Sequence, residues 1–148
     1  MQALAKQTKA IALTVDGTNY VLAAGTTDVN STSVDISGFD GVTFYVLVGT
    51  IAASGSVTCK LQYSTDNSNW TDVTGGGSGT TADTDDNKTI ILEVIDPAAR
   101  YYRVVTTRGD GGNSTINGLM AVCWAAKKQD VTADTTNYST TSVVAAAS

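Results

Sequence analysis

Alternation at a period of two runs through most of this chain, and it constrains the fold more than any other feature. Val57, Cys59, Leu61 and Tyr63 alternate with Ser56, Thr58, Lys60 and Gln62, and an extended strand places two such sets on opposite faces. Similar short runs, rich in Val, Ile, Thr and Tyr and separated by Gly, Asn or Asp clusters, predict strands at 11–15, 20–23, 33–36, 42–48, 56–63, 70–73, 88–95, 101–107 and 114–125. No segment carries a convincing helical stripe. The chain is therefore expected to be all-β, a single antiparallel β-sandwich of jelly-roll or immunoglobulin-like type with extended termini.

Two runs are apolar on both sides. Val42, Phe44, Val46 and Val48 share one face of their strand while Tyr45 and Leu47 occupy the other, and Leu119, Ala121 and Cys123 stand opposite Met120, Val122 and Trp124. Both faces of these strands are expected to be covered, by the second sheet or by another subunit.

The segments between strands carry turn chemistry. Ser64-Thr65-Asp66-Asn67-Ser68-Asn69 offers side chains that bond their own backbone and tolerate positive φ, which suits a link between antiparallel strands. Pro97 follows a strand end, where its missing N–H does no harm. Gly75-Gly76-Gly77-Ser78-Gly79 reads as a flexible loop or exposed tip. At 148 residues the chain is long enough for one core, and the expected organisation is an N-terminal arm at 1–10, the sandwich at 11–126 and an extended C-terminal arm at 127–148. Fully extended at about 3.3 Å per residue, that last arm reaches on the order of 70 Å, enough to cross a neighbouring subunit; a frayed terminus is the other reading.

Chemistry is hard to build from these residues. The chain has no histidine, which removes the commonest general base, the commonest metal ligand and the usual partner of a Ser or Cys nucleophile. Asp83, Asp85 and Asp86 lie close together but in a polar turn, where solvation keeps carboxylates ordinary. As a calcium loop the stretch fails, with Lys88 where the glycine belongs and Val94 where the bidentate carboxylate belongs. Gly75–Gly79 lacks the Lys-Ser/Thr and the helix start of a phosphate loop. Arg108-Gly109-Asp110 spells an adhesion tripeptide but reads as an ordinary turn. No catalytic, cofactor-binding or metal-ligating residue is assigned, no cofactor is expected, and the protein is expected not to be an enzyme.

A net charge of −5 argues against nucleic acid as a partner, because phosphate affinity comes from clustered Lys and Arg. No run approaches the roughly 18 apolar residues of a membrane span, and no leader-like apolar run opens the chain, so neither a membrane nor an encoded export route is expected. Asn-x-Ser/Thr triplets arise by chance in a chain so rich in Ser and Thr. Cys59 and Cys123 lack zinc spacing; they read as buried thiols, with an inter-strand disulfide as the alternative.

Several segments are more specific as a set. Val34-Asp35-Ile36-Ser37-Gly38-Phe39-Asp40-Gly41-Val42 is followed by Lys60-Leu61-Gln62-Tyr63-Ser64-Thr65-Asp66 leading to Trp70. Then come Ala82 through Lys88, and Pro97 through Arg100-Tyr101-Tyr102-Arg103 to Gly109. In that order, over roughly 33–125, they resemble the small β-rich virion proteins of tailed bacteriophages that decorate or cement the head. The resemblance implies a capsid-associated structural role on the outside of the virion, with the major capsid protein as partner, a homo-oligomer (dimer or trimer) as the binding unit, and assembly in the host cytoplasm. It carries over no catalytic or ligand residue. Candidate subunit or capsid contacts are Tyr45, Trp70, Tyr101, Lys127, Lys128 and Tyr138. The alternatives are a carbohydrate-binding or adhesion sandwich on a phage or bacterial surface, using exposed aromatics, and a tail or neck component.

Overall fold

The computed structural model describes residues 7–127, and these form two antiparallel sheets packed as a β-sandwich. In chain order the strands are β1 (Lys9–Leu13), β2 (Leu22–Gly25), β3 (Val29–Asn30), β4 (Val34–Asp35), β5 (Phe39–Ile51) and β6 (Ser56–Ser64). They continue with β7 (Thr71–Gly77), β8 (Thr81–Ala82), β9 (Thr89–Ile95), β10 (Tyr101–Gly109) and β11 (Ser114–Ala126). The first sheet has the order β1-β11-β5-β9, with β2 continuing the β1 edge along β11; the second has the order β3-β10-β6-β7, with β4 on β10 and β8 on β6.

The expected alternation is what closes the core. Val42, Phe44, Val46 and Val48 of β5 and Leu119, Ala121 and Cys123 of β11 turn inward, against Val57, Cys59 and Leu61 of β6 and Val104 of β10. Phe44 has no exposed surface, and truncating a phenylalanine so placed costs about 3–5 kcal/mol. Cys59 and Cys123 are free and buried, one in each sheet. Burial pushes their thiols up to about 11 and about 12, so at neutral pH both are protonated apolar fillers.

The chain crosses from one sheet to the other at tight corners. Ser54 (φ 64°) lies between β5 and β6, Asp96 (φ 50°) between β9 and β10, and Asp110 (φ 64°) with Gly111 (φ 87°) between β10 and β11. Short polar side chains and glycine tolerate the left-handed region that such corners need. The hairpin between β6 and β7 turns as its sequence suggests: Asp66 accepts the amides of Ser68 (2.9 Å) and Asn69 (2.8 Å), and Asn67 sits at φ 59°.

One local expectation is corrected. Gly75, Gly76 and Gly77 are not a loose tip but the end of β7, where Gly77 pairs with Lys60 across a register shift and Gly75 adopts φ 73°. The glycines permit a bulge, which bends the strand at the sheet edge. At the chain's two ends, β1 begins at Lys9 and the amide of Lys127 donates to the Gly38 carbonyl (2.8 Å). Most of both expected arms lies outside the described residues.

Candidate functional site

The outer face of the first sheet is built by the same register that fills the core. Ala12, Met120, Tyr45 and Ile91 form one row across β1, β11, β5 and β9; Ala10, Val122, Thr43 and Glu93 form the next; Trp124, Gly41 and Ile95 form a third. Leu47 and Thr89 continue the face at the other end, beside Gly118. Apart from Glu93, none of these outward residues carries a charge.

Much of this face meets solvent. Ile95 is 64% exposed, Ile91 60%, Leu47 45% and Met120 40%, and Tyr20 and Val21, just before β2, are more than half exposed as well. Tyr20, Val21, Tyr45, Leu47 and Met120 line a groove of about 410 Å³. Single exposed apolar residues are ordinary, but a contiguous set around a groove marks an interaction surface. Covering one exposed Ile or Leu side chain yields on the order of 1 kcal/mol.

Trp124 frames the far end. Its Nε1 donates to Thr43 Oγ1 (3.0 Å), and Thr43 Oγ1 donates to Glu93 Oε1 (3.0 Å). The lone carboxylate of the face is thereby tied into a polar chain across three strands.

The outer face of the second sheet is of another kind. Arg103 donates through Nε (2.9 Å) and Nη2 (2.7 Å) to Gln62 Oε1, and Gln62 and Lys60 both donate to Asp72 (2.8 Å each). The Arg103 guanidinium also lies over the Trp70 ring, 4.3 Å from its centroid. Arg100 binds Asp35 (2.7 Å) and covers Tyr101 at 5.1 Å. The Arg100 hydrogen bond holds the Asp35 carboxyl down to about 2.

The candidate contacts read from the sequence therefore fall in separate places. Tyr45 lies on the open apolar face; Trp70 and Tyr101 belong to the opposite sheet, each beneath an arginine; Lys127, at the end of β11, pairs with Asp40 (3.2 Å). Lys128 and Tyr138 lie outside the described residues. Leu47 and Met120 entered the sequence reading only through the two-sided runs of their strands, and Tyr20, Val21, Ile91 and Ile95 did not enter it as contacts. The signal for part of this set was the two-sided apolar character of β5 and β11, together with the unbroken run Ile90-Ile91-Leu92.

The remaining motifs serve the fold. Asp83–Asp85 form a short 3-10 turn, Asp85 binds Lys88, and Asp86 Oδ1 accepts the Ile51 amide (2.7 Å), latching this turn to the first sheet. Among the described residues no group of three or more His, Cys, Asp or Glu is placed to hold a metal ion, and no helix is long and apolar enough to cross a membrane. Arg108 is only 6% exposed, and its guanidinium donates to the carbonyls of Thr27, Ala23 and Ser114 (2.9 Å each). An arginine so engaged cannot be presented as part of an adhesion tripeptide.

No family model and no curated protein matches the chain. Among solved structures, the crystal structure of the PBSX exported protein XepA is similar, with a TM-score of 0.55 at 18% identity over 99% of this chain. The match covers 46% of XepA, so this chain spans about half the length of that protein. A likeness at this identity establishes a shared fold.

Proposed function

We propose that this chain is a non-enzymatic structural protein of a tailed-phage particle, which binds the outside of the head through the open face of its first sheet and reinforces the capsid. The observation that carries the reading is the groove lined by the exposed Tyr20, Val21, Leu47 and Met120, continued along the same face by exposed Ile91 and Ile95 of β9. A single-sign or strongly hydrated surface would repel a protein wall, whereas a neutral apolar face with a polar rim suits one. The likeness to the PBSX exported protein XepA supports the sandwich fold on which this reading rests.

Attachment in this reading is passive and repeated. A dimer or trimer that engages equivalent capsid sites at once gains affinity through effective concentration, without any new type of contact. The non-enzymatic part of the reading rests on the absence of histidine from the chain and on two thiols that burial keeps protonated. The protein would then reside on the virion after assembly in the host cytoplasm.

The test is co-sedimentation of the purified chain with phage heads stripped of accessory proteins. Saturation at a stoichiometry matching the shell's symmetry is expected. Absence of binding at micromolar protein overturns the reading in favour of the carbohydrate-binding module, whose site would be the Trp70 side of the molecule. There the Arg103 guanidinium already occupies one face of the indole that a sugar ring would use. Labelled protein found on the tail or neck instead of the head would establish the third reading.

A further inference from the structure

The backbone of β9 leaves one side of its ladder open. Val48 N donates to Lys88 O, and Asp96 N donates to Asp40 O (3.0 Å each). Bonded and non-bonded pairs alternate in an antiparallel ladder, so the even-numbered residues of β9 face β5. Thr89, Ile91, Glu93 and Ile95 therefore direct their N–H and C=O groups away from the sheet, and no strand among the described residues pairs with them.

Other strands at sheet margins are blunted. β1 is short and carries Lys9, β3, β4 and β8 have two residues each, and β7 carries Asp72 and a bulge with Gly75 at φ 73°. β9 runs for seven residues in unbroken register, with Glu93 as its only charge and no proline. A long, regular, apolar edge of this kind is a template for another strand.

We propose that β9 pairs antiparallel with β9 of a second copy of this chain, joining two first sheets into one continuous sheet across a twofold axis at Leu92. The charges choose the register. Centring on Leu92 sets Thr89 opposite Ile95 and Ile91 opposite Glu93, so every outward N–H and C=O from Thr89 to Ile95 finds a partner. It also brings Lys88 of each copy, which binds Asp85 of its own chain, opposite Asp96 of the other, cation against anion, and Lys88 and Asp96 are both exposed. Centring on Glu93 would instead oppose two carboxylates, which is unfavourable in a cross-strand pair. The twofold makes the contact isologous and closed, so it ends at a dimer. The two apolar faces then lie side by side, with Ile91 and Ile95 of both copies at the seam.

This pairing supplies the oligomer that the capsid reading calls for, yet its test contains no phage heads, so either can fail without the other. In sedimentation equilibrium the full chain is expected to show about twice its 15.2 kDa mass. Glu93→Pro removes an outward N–H that β5 does not use, and Ile91→Lys places a charge on the seam; both are expected to give monomers with unchanged far-UV circular dichroism. Hydrogen exchange at Ile91, Glu93 and Ile95 is expected to slow as wild-type concentration rises. A wild-type monomer at high micromolar concentration, a dimer that survives in both folded variants, or exchange at these amides independent of concentration would each overturn the proposal.

Discussion

Trp124 and Gly41 are cross-strand partners, and the indole occupies the space where a side chain at position 41 would stand. A Cβ built on Gly41 overlaps Cζ2, Cε2 and Cη2 of Trp124. Gly41→Ala must therefore displace the indole and break its bond to Thr43. The expected cost is about 1–3 kcal/mol, read as a lower urea midpoint at unchanged slope, with a change in tryptophan emission. Trp124→Phe, which keeps a ring but loses the N–H, should cost less, about 1 kcal/mol.

Leu47 and Met120 test the open face. Both side chains are exposed in the single chain, so Leu47→Glu and Met120→Glu should leave the melting temperature nearly unchanged. Binding to stripped heads should fall by about tenfold or more if these residues are near the centre of the contact. Trp70→Ala, on the opposite sheet, should bind heads like the wild type; the reverse pattern would move the contact to the second sheet.

Arg108 links β10 to β2, to the β2–β3 connection and to β11 through its three carbonyl partners. Removing it in Arg108→Ala takes a charged donor from each of those carbonyls, at an expected cost of about 2–4 kcal/mol in chemical denaturation. Arg108→Lys retains the charge but not the planar fork, and should fall between the two.

Cys59 and Cys123 should be silent toward a thiol reagent in the native protein. Burial raises both pKa values, to about 11 and about 12, and access requires opening of the sandwich. Two equivalents should react promptly in denaturant. Fast reaction of either thiol without denaturant would show that its sheet opens locally.

Acid should weaken the fold in a defined window. Asp35 titrates at about 2 in the folded chain against an ordinary 3.8, because Arg100 bonds its charged form. Asp66 is held low by the amides and side chain of its turn, with Asn69 foremost. For carboxyls lowered on folding, the unfolded chain takes up protons first, so their contribution is complete above about pH 5 and is lost progressively as the pH falls through the ordinary carboxylate range to about 2 and below. Thermal midpoints should therefore be flat near neutrality and fall on the acid limb, and Asp35→Asn should make that limb shallower.

Much of the sandwich was legible because alternation is a local property. Ser56–Tyr63 and Ser114–Ala125 predict β6 and β11 to within a residue at their ends. β3 and β8 have two residues each, too short to express a period, and exist only because β10 and β6 offer them a ladder. The start of β7 is covered by the strand expected at 70–73, but its end at Gly75–Gly77 was hidden by composition, since three successive glycines signal a loop unless a neighbouring strand holds them. The apolar face was half visible: the two-sided character of β5 and β11 was plain, but whether a second layer covered both sides is a tertiary fact. Trp70 and Tyr101 drew notice as aromatics, yet Arg103 approaches Trp70 from a strand 33 positions away in the chain, and no sequence window reveals that pairing.

The place of β11 bears on the order in which the molecule can be made. It is the last strand among the described residues, yet it lies between β1 and β5, with Lys9 paired to Cys123 and Phe39 to Ala126. During synthesis β1, β2 and β5 emerge long before the strand that joins them, so their apolar rows wait uncovered, while β6 and β10 of the second sheet can already associate. Pairings so distant in sequence favour slow folding, in milliseconds to seconds. A chain truncated before Ser114 would thus keep every strand of the second sheet while β1 and β2 lack the strand that holds them in the first.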